Sequence, residues 1–284
     1  ITPGLTKLTW SNKGMSDFFV SECRNHANKV MQTVKEYKAS GKSIARKCKA
    51  ISELLLVKID GKTIYNDLQF GQVQRAHRMK MKEKIFEHYQ DIIKYLTEMS
   101  EAFKRDGADV YQKWIDYVES VDGHLQEAIR INIKSSLIEL SQAIHGNGKV
   151  PPPALFKVDV LLENRYNKMS DGIYTPAQII FEPNLDTMNE DVSQLTYSLA
   201  EAFDGLRRLT AISRLVKVRT DSKPSFVDVI DCDDDISKQR RSIMEGMMAN
   251  KDQCMIYLDN HDKDYSFGGF GCFFFNHRSY GNIM

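Results

Sequence analysis

The chain contains long segments in which apolar side chains recur every three or four residues, and this spacing constrains its fold more than any other feature. One such segment begins at Met81 and ends at Phe103, and lysine and glutamate flank its apolar positions. Residues at these intervals lie along one side of an α-helix, which has 3.6 residues per turn. A narrow apolar stripe on a charged helix is typical of a helical bundle or coiled-coil seam. We therefore expect a long helix that buries this stripe against other helices.

Other segments have the same spacing. Before residue 149, apolar residues predict helices over Phe19–Tyr37, with Ser16 as its candidate N-cap, and over Trp114–Ile144. After Pro183, the steps of three and four from Leu185 to Leu209 predict another helix, and a last helix is expected from about Asp235 to Leu258. With so many stripes to bury, the helices are expected to pack on one another.

The pattern changes between residues 150 and 184. Three prolines, Pro151–Pro153, forbid a continued helix, and the runs Phe156–Leu162 and Gln178–Phe181 read as two short β-strands of a hairpin. The predicted fold is therefore mainly α, with elongated antiparallel helical bundles and a small β-hairpin insertion. The predicted divisions are a bundle at 1–149, the proline-rich break and hairpin at 150–184, a second bundle at 185–265, and an atypical C-terminal extension at 266–284.

Composition excludes several classes of protein. The chain has 39 basic and 38 acidic residues and a net charge of +1, which disfavours a nucleic-acid binder charged along its whole length. No apolar run approaches the roughly 20 residues that a membrane span needs. We therefore predict neither a nucleic-acid partner nor a membrane.

The motifs of catalysis and cofactor binding are also missing from the sequence. Gly146–Lys149 lacks the spacing of a phosphate loop. Its glycines are explained by a position at the end of a helix. The histidines do not form a His-x-x-x-His pair, and the five cysteines do not form a Cys-x-x-Cys pair. The acidic run Asp231–Asp235 could hold a divalent cation, but it lacks the spacing of a calcium loop and suits the start of a helix. We predict no enzyme activity, no metal and no cofactor.

Basic residues are concentrated in the first half of the chain, in runs at 29–49 and 75–84. A positive surface of this kind could meet an acidic protein, tubulin or nucleic acid, although a solvated helix face is the default interpretation. Because the aromatic residues lie on apolar stripes, they do not form stacking platforms for bases. The candidate contact residues are the basic face Lys42, Arg46, Lys47 and Lys49, together with the loop residues Asn164, Arg165, Asn167 and Asp171.

Several motifs, taken in order, resemble the tail of dynein heavy chains. The opening Gly4–Trp10 looks like the family's Gly-Leu-x-x-Leu-x-Trp signature, and Leu137–Lys149 resembles a segment of axonemal dynein heavy chains written sLxELskaInGdGk. The segments Ala154–Leu162 and Ile179–Asp186 are similar to the runs that follow in the family. Ile243 to Tyr265 is similar to the approach to the linker. The resemblance covers residues 1 to about 265.

The resemblance implies a non-catalytic piece of the elongated tail, or stem, of an axonemal dynein. This region joins heavy chains to each other, to intermediate and light chains, and indirectly to doublet microtubules, in the cytoplasm and cytoskeleton of the cilium or flagellum. The motor ring, its phosphate loops and the microtubule-binding stalk have no counterpart in this chain. The alternative from the residues alone is an independent helical-bundle adaptor or tether that binds an acidic protein. Residues 266–284 do not resemble the family's linker, and we expect an isoform terminus or a truncated gene model there.

Overall fold

A computed structural model describes residues 13–60, 63–103, 107–145, 156, 158–163, 178–217 and 223–261. The helices are α1 (Lys13–Glu53), α2 (Asp67–Phe103), α3 (Gly107–His145), α4 (Leu185–Ser198), α5 (Phe226–Asp231) and α6 (Asp234–His261). The strands are β1 (Asp159–Glu163) and β2 (Gln178–Glu182), and two short 3₁₀ helices span Leu199–Phe203 and Leu209–Ala211. The prediction of a mainly α fold is confirmed.

Helices α1, α2 and α3 form an up-down-up bundle. The Lys47 ammonium of α1 lies 2.7 Å from the Asp91 carboxylate of α2, and the carbonyl of Leu55, which follows α1, lies 2.9 Å from the His77 ring near the start of α2. Because later residues of α1 meet earlier residues of α2, these two helices are antiparallel. Gly41 lies beside Tyr117, and Ile51 beside Asn132, so α1 and α3 run parallel.

The predicted apolar stripes of α2 and α3 form the centre of this bundle. On α2, the stripe from Met81 to Met99 is buried, and on α3 the stripe from Trp114 to Ile144 is buried. The apolar side chains of a bundle leave water together when its helices pack, which is the main favourable contribution to its folding. Within α1, however, the described side chains before Ile44 are not buried, although the stripe predicted from Phe19 to Tyr37 precedes it. Ser16 also lies inside α1, which begins at Lys13, so it is not the N-cap.

Helix α6 lies against α3 and runs parallel to it. The Arg130 guanidinium lies 3.9 Å from Asp233 just before α6, and the His145 ring at the end of α3 lies 3.0 Å from the carbonyl of Ser242. Parallel neighbours are possible because a long stretch of chain separates α3 from α6. The antiparallel arrangement therefore holds for α2 with its two neighbours but does not extend to this pair.

Helix α4 ends earlier than the spacing predicts. The α-helix stops at Ser198, a 3₁₀ helix follows, and Gly205 has a φ of +87°, a left-handed conformation that glycine adopts without strain. All eight residues of the predicted stripe are nevertheless buried: Leu185, Met188, Val192, Leu195, Leu199, Ala202, Leu206 and Leu209. The sequence therefore predicted which residues are buried, but the helix predicted up to Leu209 is wrong beyond Ser198.

The predicted β-hairpin is present. Strands β1 and β2 are antiparallel, and Leu161 pairs with Ile180 at their centre. Just before β1, the Phe156 ring packs edge-on against Phe70 of α2, with ring centroids 4.8 Å apart. Phe156 is 2% exposed, so the base of the hairpin is anchored in the bundle.

One buried apolar cluster extends from Ile44 in α1 to Cys254 in α6 and includes residues from every α-helix. It crosses the proline-rich break, and the proposed division into two bundles stays a prediction. In the part of the chain that the structure describes, none of the helices has the length and apolarity needed to cross a membrane.

Candidate functional site

Three of the four predicted basic residues lie together on the outer face of α1. Lys42, Arg46 and Lys49 are separated by four and three positions, and all three are exposed. The buried residues Ile44, Cys48 and Ile51 occupy the opposite side of the helix. Because i, i+4 and i+7 side chains share one face of a helix, the fold brings these three cations into one patch.

The fourth residue, Lys47, points towards α2 instead. Its ammonium pairs with the Asp91 carboxylate at 2.7 Å, and the hydrogen bond from Lys47 lowers the pKa of Asp91. Lys49 has a looser pair, 3.6 Å from Glu53 one turn later. Lys42 and Arg46 have no ion pair within the described residues, so these two carry the positive charge that remains available to a partner.

The second basic run, at 75–84, is partly used within the chain. The Arg78 guanidinium lies 3.1 Å from Glu201 in the first 3₁₀ helix, and Lys82 lies 3.9 Å from Asp204. These contacts link α2 to the segment after α4. Surface pairs of this kind contribute little stability, about 0–1 kcal/mol each, but they reduce the positive charge that this run presents to solvent.

The candidate loop residues Asn164, Arg165, Asn167 and Asp171 lie outside the described residues. Their role as contacts stays a prediction.

The acidic run before α6 acts as a helix cap. The Asp233 carboxylate accepts hydrogen bonds from the backbone N–H groups of Asp235 at 2.9 Å and Ile236 at 3.0 Å. Asp235 accepts a hydrogen bond from Lys134 of α3 at 2.8 Å, and this bond lowers the pKa of Asp235. Capping and ion pairing therefore account for these carboxylates, as the sequence predicted. Among the residues that the structure describes, histidine, cysteine and acidic side chains are not grouped as a metal site.

The most elaborate polar contacts hold the irregular segment 204–217 against the bundle. The Tyr89 hydroxyl of α2 donates to the carbonyl of Arg207 at 2.7 Å and accepts from the Arg207 N–H at 3.1 Å. On α3, the Trp114 indole N–H donates to the carbonyl of Leu215 at 2.7 Å. The Tyr111 hydroxyl accepts from the backbone N–H of Lys217 at 2.7 Å. Side chains of two helices thus supply the partners that this backbone lacks in the absence of a regular helix.

A buried ion pair completes this attachment. The Asp122 carboxylate, which is 0% exposed, accepts from the Arg208 Nε at 2.8 Å and from the Leu209 N–H at 2.8 Å. The Arg208 guanidinium also lies over the Phe226 ring, 4.7 Å from its centroid. A buried carboxylate and guanidinium are tolerated only when each is paired and hydrogen-bonded. We name Tyr89, Tyr111, Trp114, Asp122 and Arg208 the polar clamp.

Sequence reasoning missed the polar clamp. One signal was present, because Asp122 is a charged residue between the apolar positions Val121 and Leu125 of the α3 stripe. A charge at the edge of a seam indicates a buried partner. Local sequence patterns do not indicate that the partner is Arg208, which lies 86 residues further along the chain.

A smaller group of polar contacts closes the C-terminal end of α1. The buried Asn132 amide of α3 donates to the carbonyls of Ile51, at 2.7 Å, and Leu54. The Ser136 hydroxyl accepts from the Leu56 N–H at 2.9 Å. The last carbonyls of a helix lack their usual partner within it, and the Asn132 amide binds one of these at Ile51 and the carbonyl of Leu54 just after the helix. The Ser136 hydroxyl satisfies the N–H of Leu56 instead. Both sets of contacts are structural, since they bind backbone groups of the chain itself.

The sequence matches no protein-family model. It is 39% identical over 262 residues to "Dynein axonemal heavy chain 2" of Mus musculus and 38% identical over 262 residues to the Homo sapiens protein of that name. It is also 26% identical over 277 residues to "Dynein-1-beta heavy chain, flagellar inner arm I1 complex" of Chlamydomonas reinhardtii.

Each match covers 92–93% of this chain and 6% of the relative. The chain therefore spans a small part of the length of these relatives. Their names point to the axoneme of cilia and flagella, and hence to the cytoskeleton, as the location. These matches agree with the resemblance to axonemal dynein heavy chains that the sequence motifs indicated. The chain is thus homologous, along almost all of its length, to a segment of axonemal dynein heavy chains.

Proposed function

We propose that this chain is a non-catalytic segment of the tail, or stem, of an axonemal dynein heavy chain. In this role it scaffolds assembly with intermediate and light chains and with other heavy chains. It also transmits force from the minus-end-directed microtubule motor in cilia and flagella, and it is linked indirectly to doublet microtubules. The similarity to axonemal heavy chains supports the assignment to the family, and the order of the tail-like motifs supports the assignment to the tail.

The observation that carries the mechanical part of the proposal is the packing of the long helices. Helices α1, α2 and α3 have 41, 37 and 39 residues. At a rise of 1.5 Å per residue, each is about 55–60 Å long. Helix α1 packs against both α2 and α3, and α6 packs against α3, so these helices resist bending independently and a load applied at one end is passed towards the other.

The polar clamp supports the same role. A load along α3 is passed to the segment 204–217 through Trp114 and Asp122, which bind its backbone from the side. The Asp122–Arg208 pair is buried and has defined geometry, so this junction resists sliding more than apolar contacts alone would. Residues 204–217 therefore move with the bundle.

Assembly requires exposed contact surfaces, and the outer face of α1 is the first candidate. Lys42 and Arg46 are exposed and project from a helix that the bundle holds in place. Cations on a rigid surface favour an acidic partner and speed its encounter. We propose that this face contacts an acidic surface of another dynein subunit.

Crosslinking mass spectrometry on intact axonemes tests the function. We expect lysines of this chain, Lys42 and Lys49 among them, to be linked to dynein intermediate chains or to a second heavy chain. Links only to proteins outside the dynein complexes would instead support the independent adaptor or tether.

Charge reversal tests the contact face. The double variant Lys42→Glu and Arg46→Glu is expected to weaken binding to the crosslinked subunit by about tenfold or more, because attraction becomes repulsion. The matched control, Arg75→Glu with Lys80→Glu, reverses two exposed charges on α2. Helix content, measured by circular dichroism, is expected to stay unchanged in both. Equal loss of binding in the control would show that the effect of charge is not specific to this face.

A further inference from the structure

The first half of α1 extends past the helices that it packs against. Lys47 of α1 is level with Asp91 of the antiparallel α2, and 12 residues separate Asp91 from the end of α2 at Phe103. At 1.5 Å per residue, α2 therefore reaches only to about residue 35 of α1, and α3, whose Tyr117 lies beside Gly41, begins at Gly107 level with about residue 31. The residues of α1 before that level lie beyond both helices, and the turn that follows lies beside only the first residues of α3. We name residues 16–36 the projecting segment.

The projecting segment carries an apolar stripe that continues the buried seam of the same helix. Val20, Cys23, Ala27, Val30 and Val34 follow alternating steps of three and four. The same steps continue through Tyr37, Gly41, Ile44, Cys48 and Ile51, and the last three of these are buried. In the heptad notation of coiled coils, all ten residues occupy positions a and d. The last three residues of this stripe are thus buried, whereas the structure as far as it describes the chain leaves the first five exposed.

The exposure of this stripe is high. Val30 is 62% exposed, Val34 45% and Val20 45%, and Met31, which flanks the stripe, is 57% exposed. Isolated apolar residues on a surface are ordinary, but four large ones along one side of a single helix mark an interaction surface. A stripe at heptad spacing fits another helix.

The charges beside the stripe indicate which helix it fits. In a coiled coil, positions e and g flank the seam and select the partner. Between Phe19 and Ser40 these positions hold Phe19, Arg24, His26, Met31, Thr33, Lys38 and Ser40. The charged members are basic, and none is acidic. Glu22 and Glu36 lie on the outer side, at position c.

A second copy of this chain is a poor partner for the same reason. Whether two copies paired parallel or antiparallel, their flanking positions would bring basic or neutral residues together, with no opposite charges to attract them. A helix with an apolar stripe and flanking glutamates or aspartates would complement both features.

We propose that the projecting segment is the docking site for an acidic amphipathic helix from another subunit of the dynein complex. The partner's apolar stripe packs on Val20, Cys23, Val30 and Val34, and its flanking carboxylates pair with Arg24 and with Lys38, which lies just past the end of the segment. The source of the partner rests on the proposed function, whereas the docking chemistry rests on the helix alone. This site is distinct from the outer face of Lys42 and Arg46.

Binding of a designed helix tests the docking chemistry. The probe is a fluorescein-labelled synthetic 28-residue helix with leucine at a and d and glutamate at e and g. A second probe has lysine at e and g. By fluorescence anisotropy with the full chain, we expect the glutamate helix to bind about 30-fold more tightly than the lysine helix, because the charges at the seam decide pairing. Equal affinity for the two probes would overturn the proposal.

Two pairs of substitutions locate the binding site. Val30→Glu with Val34→Glu places charges in the stripe and is expected to weaken binding of the glutamate helix by about 30-fold or more. The control, Asn25→Glu with Asn28→Glu, adds the same charge away from the stripe and is expected to change binding much less. Neither pair touches the buried core, and circular dichroism checks that both variants stay folded. Equal effects of the two pairs would overturn the proposed location.

Photo-crosslinking identifies the source of the helix. A photoreactive amino acid is placed at Val30 in the heavy chain that carries this segment, and axonemes are irradiated and analysed by mass spectrometry. We expect the linked peptide to have an acidic heptad pattern and to come from a different polypeptide. A peptide of tubulin, of a second copy or of the same heavy chain would overturn the assignment to another subunit. Because the synthetic-helix experiment uses the isolated chain, its failure is distinguishable from failure of the tail assignment.

Discussion

Replacing Asp122 with asparagine tests whether the polar clamp holds the fold together. Asparagine has nearly the same shape and can still accept the hydrogen bond from the Leu209 N–H. It removes the negative charge, however, and turns an N–H₂ group towards the Arg208 guanidinium, which is 9% exposed. The arginine then remains buried with only the Pro224 carbonyl and the Phe226 ring as partners.

The expected cost follows from the burial of the pair. Removing one partner of a buried ion pair typically lowers the free energy of unfolding by about 3–5 kcal/mol. Because the Phe226 ring and a carbonyl still contact Arg208, we expect the lower end, about 3 kcal/mol. The melting temperature should fall by roughly 6–12 °C, at about 2–4 °C per kcal/mol for a chain somewhat smaller than this one.

Urea unfolding followed by tryptophan fluorescence measures this loss. Trp114 is 1% exposed and hydrogen-bonded to Leu215 within the polar clamp, so its emission reports on that junction. The matched control is Glu119→Gln, on the same helix, which removes a partly exposed pair with Lys223 at 3.9 Å. The control should cost less than about 1 kcal/mol. If D122N lowers the free energy of unfolding by no more than E119Q does, the reasoning about the buried pair is refuted.

Four further predictions follow from local packing and burial. Gly246→Ala should destabilise the chain by about 1–3 kcal/mol, because a Cβ there would lie 2.6 Å from the His145 ring and 2.9 Å from Ile144. Gly123→Ala, with open space around it, should stabilise α3 by up to about 1 kcal/mol, and thermal melting compares the two. Burial raises the pKa of the Cys48 thiol from 9.0 to about 11. Iodoacetamide at pH 8 should therefore alkylate the exposed Cys23 at least about 100-fold faster than Cys48. Peptide mass spectrometry measures the two rates. Because the pKa of Cys48 is raised, the folded chain keeps, between these two pKa values, a proton that the unfolded chain releases. The contribution of Cys48 to stability should therefore be intact below pH 9 and decline between about pH 9 and 11. A series of melting curves at increasing pH measures this decline. An unchanged or rising contribution in that window, isolated by comparison with Cys48→Ala, would contradict the stated burial.

The contact face on α1 shows how far sequence reasoning reached at the candidate site. The helical period placed Lys42, Arg46 and Lys49 on one side of a helix, and the structure has them there. It did not separate them from Lys47, because the position of a side chain relative to a neighbouring helix depends on which helices pack together. The pairing of Lys47 with Asp91 joins residues 44 positions apart, a relation that local spacing does not contain.

The apolar stripe of α1 shows a second feature that local spacing does not predict. The period of apolar residues from Phe19 to Tyr37 predicted a helix, and α1 includes all of them. A period indicates which side of a helix is apolar, but not what covers that side. Within the described residues Cys23, Ala27, Val30 and Val34 of this stripe remain exposed, because α2 and α3 end or begin near the level of its last residues.

The sequence alone determined the helical class, the buried residues of α2, α3 and α4, the hairpin and the similarity to dynein heavy chains. These properties depend on local periodicity and on motifs of a few residues, and both can be recognised from residues that are close together in the sequence. Tertiary structure decided the end of α4 at Ser198, the parallel contact of α3 with α6, and the buried pair of Asp122 and Arg208. The physical reason is that each of these depends on groups that are distant in sequence. A helix ends early when side chains such as Tyr89 bind the backbone of the segment that follows it, and a charge can be buried when its partner arrives from another part of the fold.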